Sequence, residues 1–192
     1  MKKLIILTMV TGLLSYGVLD SAGTNNTIYP VTDWETMEAE RIKAEEAKKL
    51  FHQKEFDRFL NDIGHRESSN DYTVTNKWGY MGKYQFGKST LRGLGFKWTR
   101  KEFLNTPQFQ EEAMLALLLH NKEKLQMYID LFDGKVVNGN LITESGILAA
   151  AHLGGQGSVR RYFKNGRVFK DANGTKITSY LHKFSGYDIK LK

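Results

Sequence analysis

Residues 113–119, Ala-Met-Leu-Ala-Leu-Leu-Leu, form the most apolar run of the chain beyond residue 23. Thr106-Pro107 precedes the run, and proline suits the first position of a helix. Apolar residues then recur at helical spacing, at Leu125, Tyr128, Ile129 and Phe132. The spacing predicts a long helix at the centre of the core.

Shorter elements are expected on both sides of this helix. Thr99 and Glu102 have the spacing of a capping box, and Thr143 is suited to cap a helix that runs through residues 149–152. Asn138-Gly139 is a turn dipeptide between two short apolar pairs, which predicts a hairpin. With no βαβ alternation, the predicted fold class is mainly α with a small β excursion.

Residues 34–63 also have a helical pattern, in two halves. Residues 38–55 carry ten charged side chains in eighteen positions, which is typical of a solvated helix face or a stalk. From Phe56 the apolar stripe broadens, and Gly64 is expected to end the helix. We therefore divide the chain into a leader (1–23), a polar tether and charged helix (24–51) and a globular domain (52–192).

The leader resembles a secretory signal. Lys2 and Lys3 precede the apolar residues 4–19, and Ser21-Ala22-Gly23 supplies small residues for cleavage. The apolar run is shorter than the ~20 residues of a membrane-spanning helix, and an uncleaved anchor that tethers the chain to a membrane is the alternative. The pattern predicts export to the periplasm, the cell envelope or the medium.

Composition excludes several classes of site. The 192 residues contain no Cys, so disulfides, a thiolate nucleophile and a cysteine zinc site are excluded. The five His have no metal-ligand spacing, and we expect neither a metal nor a cofactor. The net charge of +7 favours acidic partners, and residues 159–192 form a basic extension with nine Lys or Arg against two Asp. The leader argues against nucleic acid as the partner.

Glu67 follows the packed part of the first helix and precedes a segment without acids. Residues 72–101 contain no Asp or Glu but seven Lys or Arg and seven aromatics: Tyr72, Trp78, Tyr80, Tyr84, Phe86, Phe96 and Trp98. A carboxyl group walled by aromatic rings loses hydration and tends to keep its proton, as a general acid must. Aromatic faces beside Asn76 and Gln85 indicate a sugar-binding cleft. A solvated surface Glu and a purely structural aromatic cluster are the alternative interpretations.

Three motifs resemble those of the soluble lytic transglycosylase family, within the lysozyme-like superfamily. Glu67-Ser68-Ser69 is similar to the family's Glu-Ser/Thr motif, and residues 79–85 (GYMGKYQ) are similar to its Gly-Ala-x-Gly-Leu-Met-Gln segment. Residues 150–159 (AAHLGGQGSV) are similar to its Ala-Ala-Tyr-Asn-Ala-Gly-x-Gly-x-Val helix. The resemblance covers about residues 56–165. It implies a lysozyme-like α+β fold, a helical bundle whose deep groove binds peptidoglycan glycan strands.

The resemblance also implies roles for single residues. Glu67 matches the catalytic acid/base. The positions implied to contact substrate or to lie beside Glu67 are Ser68, Asn76, Tyr84, Gln85, Phe86 and His152. Lys83-Tyr84 replace the family's Leu-Met, and His152-Leu153 replace its Tyr-Asn. Two interpretations of His152 therefore stay open: it takes over the orienting role of that tyrosine, or it is a hydrogen-bonded core histidine.

The implied reaction breaks the bond between N-acetylmuramic acid and N-acetylglucosamine without water and leaves a 1,6-anhydro end. A hydrolase usually needs a second carboxylate ~5–9.5 Å from the acid, and residues 72–101 offer none. Asp71 is near in sequence, but its Asn-Asp context favours a turn. A muramidase that uses water, and a non-catalytic wall-binding or secretion-apparatus component, are the alternative functions.

Overall fold

The computed structural model describes residues 5–10, 13–18, 29–30, 34–189 and 191. Its contacts divide the chain into two units, Met1–Phe51 and His52–Lys192. The helices, in chain order, are α1 (Trp34–Ser68), α2 (Lys88–Gly93), α3 (Arg100–Asn105), α4 (Pro107–Phe132), α5 (Glu144–Gly154), α6 (Gln156–Asn165) and α7 (Ile177–Lys183). The strands are β1 (Ile5–Val10), β2 (Leu13–Val18), β3 (Tyr29–Pro30), β4 (Val136–Val137) and β5 (Asn140–Leu141). The chain is mainly helical, as its periodicity predicted.

The first unit contains a small antiparallel sheet of β1, β2 and β3. Ile5 is paired with Val18 and Val10 with Leu13, and β3 lies on the other side of β2. The predicted cleavage site at residues 21–23 and most of the tether lie outside the described residues. Among the helices that the structure describes, none combines the length and the apolar character needed to cross a membrane.

The charged part of α1 is solvated, as expected. Residues 39–50 are all exposed, and Arg41 pairs along the helix with Glu38 at 2.6 Å and Glu45 at 3.0 Å. From residue 56 onwards the helix packs, with Phe59 and Ile63 fully buried.

The prediction that Gly64 ends this helix is wrong, because α1 continues through it to Ser68. Gly64 serves close packing: a Cβ there would lie 2.4 Å from Asn70 Oδ1 and 2.6 Å from Lys83 Cε. The helix ends where Ser69 and Asn70 enter the left-handed region, at φ 59° and 65°. The Asn70 amide then donates to the Gly64 carbonyl and closes the last turn. Glu67 therefore lies inside the final helical turn.

The prediction that α4 is the central helix is also wrong. One face of α4 is buried, including Met114 and Leu118, but Leu115 and Leu119 in the same apolar run are exposed. The helix enclosed on all sides is α5, where every residue from 145 to 151 is buried. Its small side chains allow close neighbours, since a Cβ on Gly146 would lie 2.6 Å from the carbonyl oxygen of Leu181 in α7.

The local signals around α3, α5 and the hairpin are confirmed. Thr99 and Glu102 form a complete capping box, and the Thr143 side chain accepts from the Gly146 amide. Strands β4 and β5 pair through a tight turn at Asn138-Gly139, and both turn residues have positive φ.

Candidate active site

A groove of about 770 Å³ opens in the His52–Lys192 unit. Its wall combines aromatic, amide and charged side chains, and includes Arg66, Glu67, Asn76, Trp78, Tyr80, Gln85, Phe86, His152, Asp171 and Tyr180. The volume is in the range of ligand-binding clefts, ~300–1,000 Å³. Among the described residues that line this groove, the acids are Glu67 and Asp171.

Glu67 reaches the groove from the last turn of α1. Its side chain is 16% exposed, so it is enclosed but still accessible. The neighbouring Ser68 fixes this helix end, because its hydroxyl donates to the Lys83 carbonyl at 2.8 Å. Ser68 itself is not among the groove-lining residues, so its contribution is to hold the end of α1 against the loop that contains Lys83.

Tyr180 on α7 is the direct hydrogen-bond partner of Glu67. Its hydroxyl donates to Glu67 Oε1 at 2.5 Å, and the Arg66 guanidinium lies 5.7 Å from the centre of its ring. Burial raises the pKa of Tyr180, and the adjacent Glu67 carboxylate raises it further. Tyr180 therefore keeps its proton and remains a donor. Sequence reasoning missed this residue, which no motif singled out.

His152 on α5 lines the groove beside Glu67. Its Nε2 lies 3.9 Å from Glu67 Oε1, too far for a hydrogen bond, and its side chain is 7% exposed. Burial lowers the pKa of His152, while Glu67 acts in the opposite direction. The ring packs against Phe86 with centroids 6.0 Å apart. Tyr180, and not His152, makes the hydrogen bond to the acid.

The loop after α1 supplies a further part of the groove wall. Asn76 Oδ1 accepts from the Trp78 and Tyr80 amides at 2.9 and 3.1 Å, which shapes the turn that presents both rings to the groove. Gln85 is held at φ 52°, and its side-chain amide donates to the Gly82 carbonyl at 2.8 Å. Trp78 and Tyr80 are each 46% exposed, so their rings are accessible to a ligand.

The expectation that Tyr84 contacts substrate is not supported by its position. Tyr84 is fully buried and does not line the groove. Its hydroxyl donates to Glu111 Oε2 at 2.6 Å, while Tyr72 and Lys83 donate to Oε1 at 2.6 and 2.9 Å. Lys83-Tyr84 thus belong to a partly buried polar cluster around Glu111 and not to the wall of the groove.

Asp171 is a second groove residue that sequence reasoning missed. Its Oδ1 accepts from the Asn173 and Thr175 amides at 2.9 and 2.7 Å, in the turn before α7. Nothing in the sequence indicated that this turn lines the same groove as Glu67. No group of three His, Cys, Asp or Glu placed to hold a metal occurs among the residues that the structure describes.

No protein-family model matches the chain, and no curated protein or solved structure matches it either.

Proposed function

We propose that the chain is an exported peptidoglycan lytic transglycosylase with a lysozyme-like fold and Glu67 as its acid and base. The observation that carries the proposal is the enclosed Glu67 carboxyl group, which faces an open groove and accepts the Tyr180 hydroxyl at 2.5 Å. Exposed Trp78 and Tyr80 rings provide apolar faces for sugar rings, and Asn76 and Gln85 provide amides for hydroxyl edges. The three sequence motifs quoted above agree with this assignment.

In the first step, protonated Glu67 donates its proton to the oxygen that joins N-acetylmuramic acid to N-acetylglucosamine. The bond from the muramyl C1 to that oxygen breaks, and N-acetylglucosamine leaves with the proton on its hydroxyl. The developing positive charge at C1 is stabilised by the carbonyl oxygen of the substrate's own N-acetyl group. Tyr180 favours the carboxylate that Glu67 becomes, because it donates to Oε1.

In the second step, the Glu67 carboxylate takes the proton of the muramyl C6 hydroxyl. The C6 oxygen bonds to the electron-deficient C1, so the N-acetyl oxygen no longer needs to stabilise a charge there, and a 1,6-anhydro ring closes. Glu67 returns to its protonated state. The reaction therefore consumes no water and requires no second carboxylate. His152 is held largely neutral by burial, which keeps a competing positive charge away from the proton transfer.

A muramidase is the second candidate, and Asp171 is the observation that favours it. The carboxylate lines the same groove, and its Oδ1 is occupied by two backbone amides. Its other oxygen is then available to activate a water molecule, which is the second role that hydrolases require.

Matched carboxyl-to-amide substitutions test the proposal on purified cell walls. Glu67→Gln preserves the shape of the side chain and should lower wall lysis by about a thousandfold, since both proton transfers are lost. Asp171→Asn should keep activity within a few-fold if the reaction is a transglycosylation, whereas a comparable loss would favour the muramidase. Glu112→Gln, an exposed acid on α4, controls for the change in charge.

If the Glu67→Gln variant still lyses cell walls, Glu67 is not the acid of the reaction. Binding of wall fragments without lysis by the unsubstituted chain would instead favour the non-catalytic wall-binding component. Retained circular dichroism and melting temperature show that each variant is folded.

A further inference from the structure

A second cavity, of about 410 Å³, lies in the His52–Lys192 unit and plays no part in the reaction proposed above. Four cationic and four apolar side chains line it: Lys88, Arg92, Lys97, Arg100, Met81, Leu91, Phe96 and Trp98. No acid is among these described lining residues. The concave shape and the single sign of charge distinguish this basic cavity from an ordinary solvated basic face.

The four cations of the basic cavity are not neutralised by acidic side chains of the described residues. Within residues 34–189, none of the four forms an ion pair or donates a side-chain hydrogen bond. All four lie at exposed positions around the buried Met81 and Leu91, so their charges are accessible to an anion from solution.

The frame of the basic cavity is rigid. The Trp98 ring is stacked between Phe96 and Phe109, with ring centroids 4.2 and 4.3 Å away. The Phe96 amide donates to the Leu91 carbonyl at 3.0 Å, and the Thr99 capping box fixes the start of the helix that carries Arg100. A preorganised frame lowers the entropic cost of binding a ligand.

Helix α2 separates the basic cavity from the groove. Thr90 and Gly93 line the groove, whereas Lys88 and Arg92 line the basic cavity. A helix is ~10 Å across, so the two sites are separated by about that thickness. Arg100 reaches the loop that carries the groove residue Trp78, because a Cβ on Gly79 would lie 3.6 Å from its Nη2.

We propose that the basic cavity is a binding site for a phosphate-bearing ligand. A phosphate carries more negative charge than one carboxylate and offers three acceptor oxygens, which matches a cavity lined by four cations better. The two guanidinium groups suit bidentate contacts with phosphate oxygens. The proposal does not depend on the proposed reaction, since it is tested by binding without turnover.

Calorimetric titration of the full chain with inorganic pyrophosphate tests the site. Arg92→Gln/Lys97→Gln should weaken binding about tenfold or more, because it removes charge-assisted hydrogen bonds from two exposed side chains. Lys164→Gln/Arg167→Gln is the matched control, since it removes one Lys and one Arg that are exposed and line neither cavity. The control should change affinity less than about twofold, as expected from screening of distant charges.

Two comparators complete the experiment. Citrate, which carries carboxylates only, should bind much more weakly, and equal binding at the same residues would overturn the assignment to phosphate. Long-chain polyphosphate shows which kind of phosphate-bearing ligand the site binds. Tighter binding of polyphosphate than of pyrophosphate supports a phosphate polymer, and equal binding supports a small phosphate ligand. No saturable binding, or an equal loss in both double variants, would overturn the site.

Discussion

The Tyr180 hydroxyl on α7 donates to Glu67 Oε1 at 2.5 Å, although the two residues are 113 positions apart in the chain. Burial raises the pKa of Tyr180, so the donor keeps its proton over the working range. Because this bond fixes the position of the Glu67 carboxyl group, we assign Tyr180 a positioning role in the proposed reaction.

Tyr180→Phe should lower kcat on peptidoglycan by about 10- to 100-fold, as expected for the loss of a hydrogen bond to a charged group. Tyr187→Phe is the matched control: it also loses a bond to a carboxylate, that of Asp62, but Tyr187 does not line the groove. An equal loss of activity in both variants would contradict the assigned role.

Gly82→Ala should destabilise the protein strongly. At φ 70°, an added Cβ would lie 1.9 Å from Gln110 Oε1. Buried Gln110 accepts from the Lys83 amide and donates to the Tyr72 and Phe103 carbonyls. Moving its side chain away from the added Cβ would therefore break these hydrogen bonds. We expect a loss of about 3 kcal/mol or more, measured by urea unfolding.

Gly95→Ala provides the comparison for Gly82. Its φ of 91° is also positive, but no atom lies within 4 Å of the added Cβ. Only backbone strain should remain, about 1–2 kcal/mol. Equal losses in the free energy of unfolding at the two positions would mean that the contact with Gln110 does not contribute to the destabilisation.

Glu111→Gln should destabilise the protein by about 0.5–1.5 kcal/mol at neutral pH, because the Glu111 side chain is 36% exposed and solvent screens part of its interaction with Lys83. Burial opposes ionisation of Glu111, but bonds from Tyr72, Tyr84 and Lys83 outweigh it and hold the pKa of Glu111 below its usual 4.5. The unfolded chain therefore binds the proton more readily. The stabilisation is present above about pH 4.5 and is lost as the pH falls through the lowered pKa.

Melting temperatures of the unsubstituted chain and of Glu111→Gln should accordingly converge in acid. Glu112→Gln, exposed on the same helix, should follow the unsubstituted chain at every pH. A constant difference between the unsubstituted chain and Glu111→Gln down to strongly acidic pH would show that ionisation of Glu111 is not what stabilises the cluster.

His152→Gln should reduce the loss of stability on mild acidification. Burial lowers the pKa of His152 below 6.5, so the unfolded state binds its proton first. Stability linked to neutral His152 is complete above pH 6.5 and falls as the pH decreases below that value. Melting temperatures between about pH 5 and 8 measure this, with exposed His182→Gln as the control. Identical pH slopes in the unsubstituted chain and His152→Gln would contradict the assignment.

Signals that act over a few residues predicted their structures correctly. The capping box at Thr99, the cap at Thr143 and the turn at Asn138-Gly139 depend on neighbouring backbone groups, so their patterns were sufficient. Gly64 was misjudged because its role depends on Lys83 and Asn70, which pack against it only in the folded chain.

The candidate site was also predictable only in part, because sequence patterns describe neighbouring residues and not the residues that meet in the folded chain. The motifs quoted for the resemblance include Glu67, Gln85 and His152, and these residues do line one groove. Composition could not show which aromatic rings face that groove: Trp78 and Tyr80 do, whereas Tyr84 bonds to Glu111 and Trp98 stacks on Phe109. Tyr180 and Asp171 reach the groove from segments over a hundred positions after Glu67, and no pattern in the sequence encodes that approach.

The most direct test of the central claim is the product of the unsubstituted enzyme, analysed by mass spectrometry after digestion of peptidoglycan in water enriched in heavy oxygen. A lytic transglycosylase predicts 1,6-anhydro muramyl ends that carry no label from the solvent. Reducing muramyl ends that have incorporated one labelled oxygen would contradict the account and assign the groove to a hydrolase.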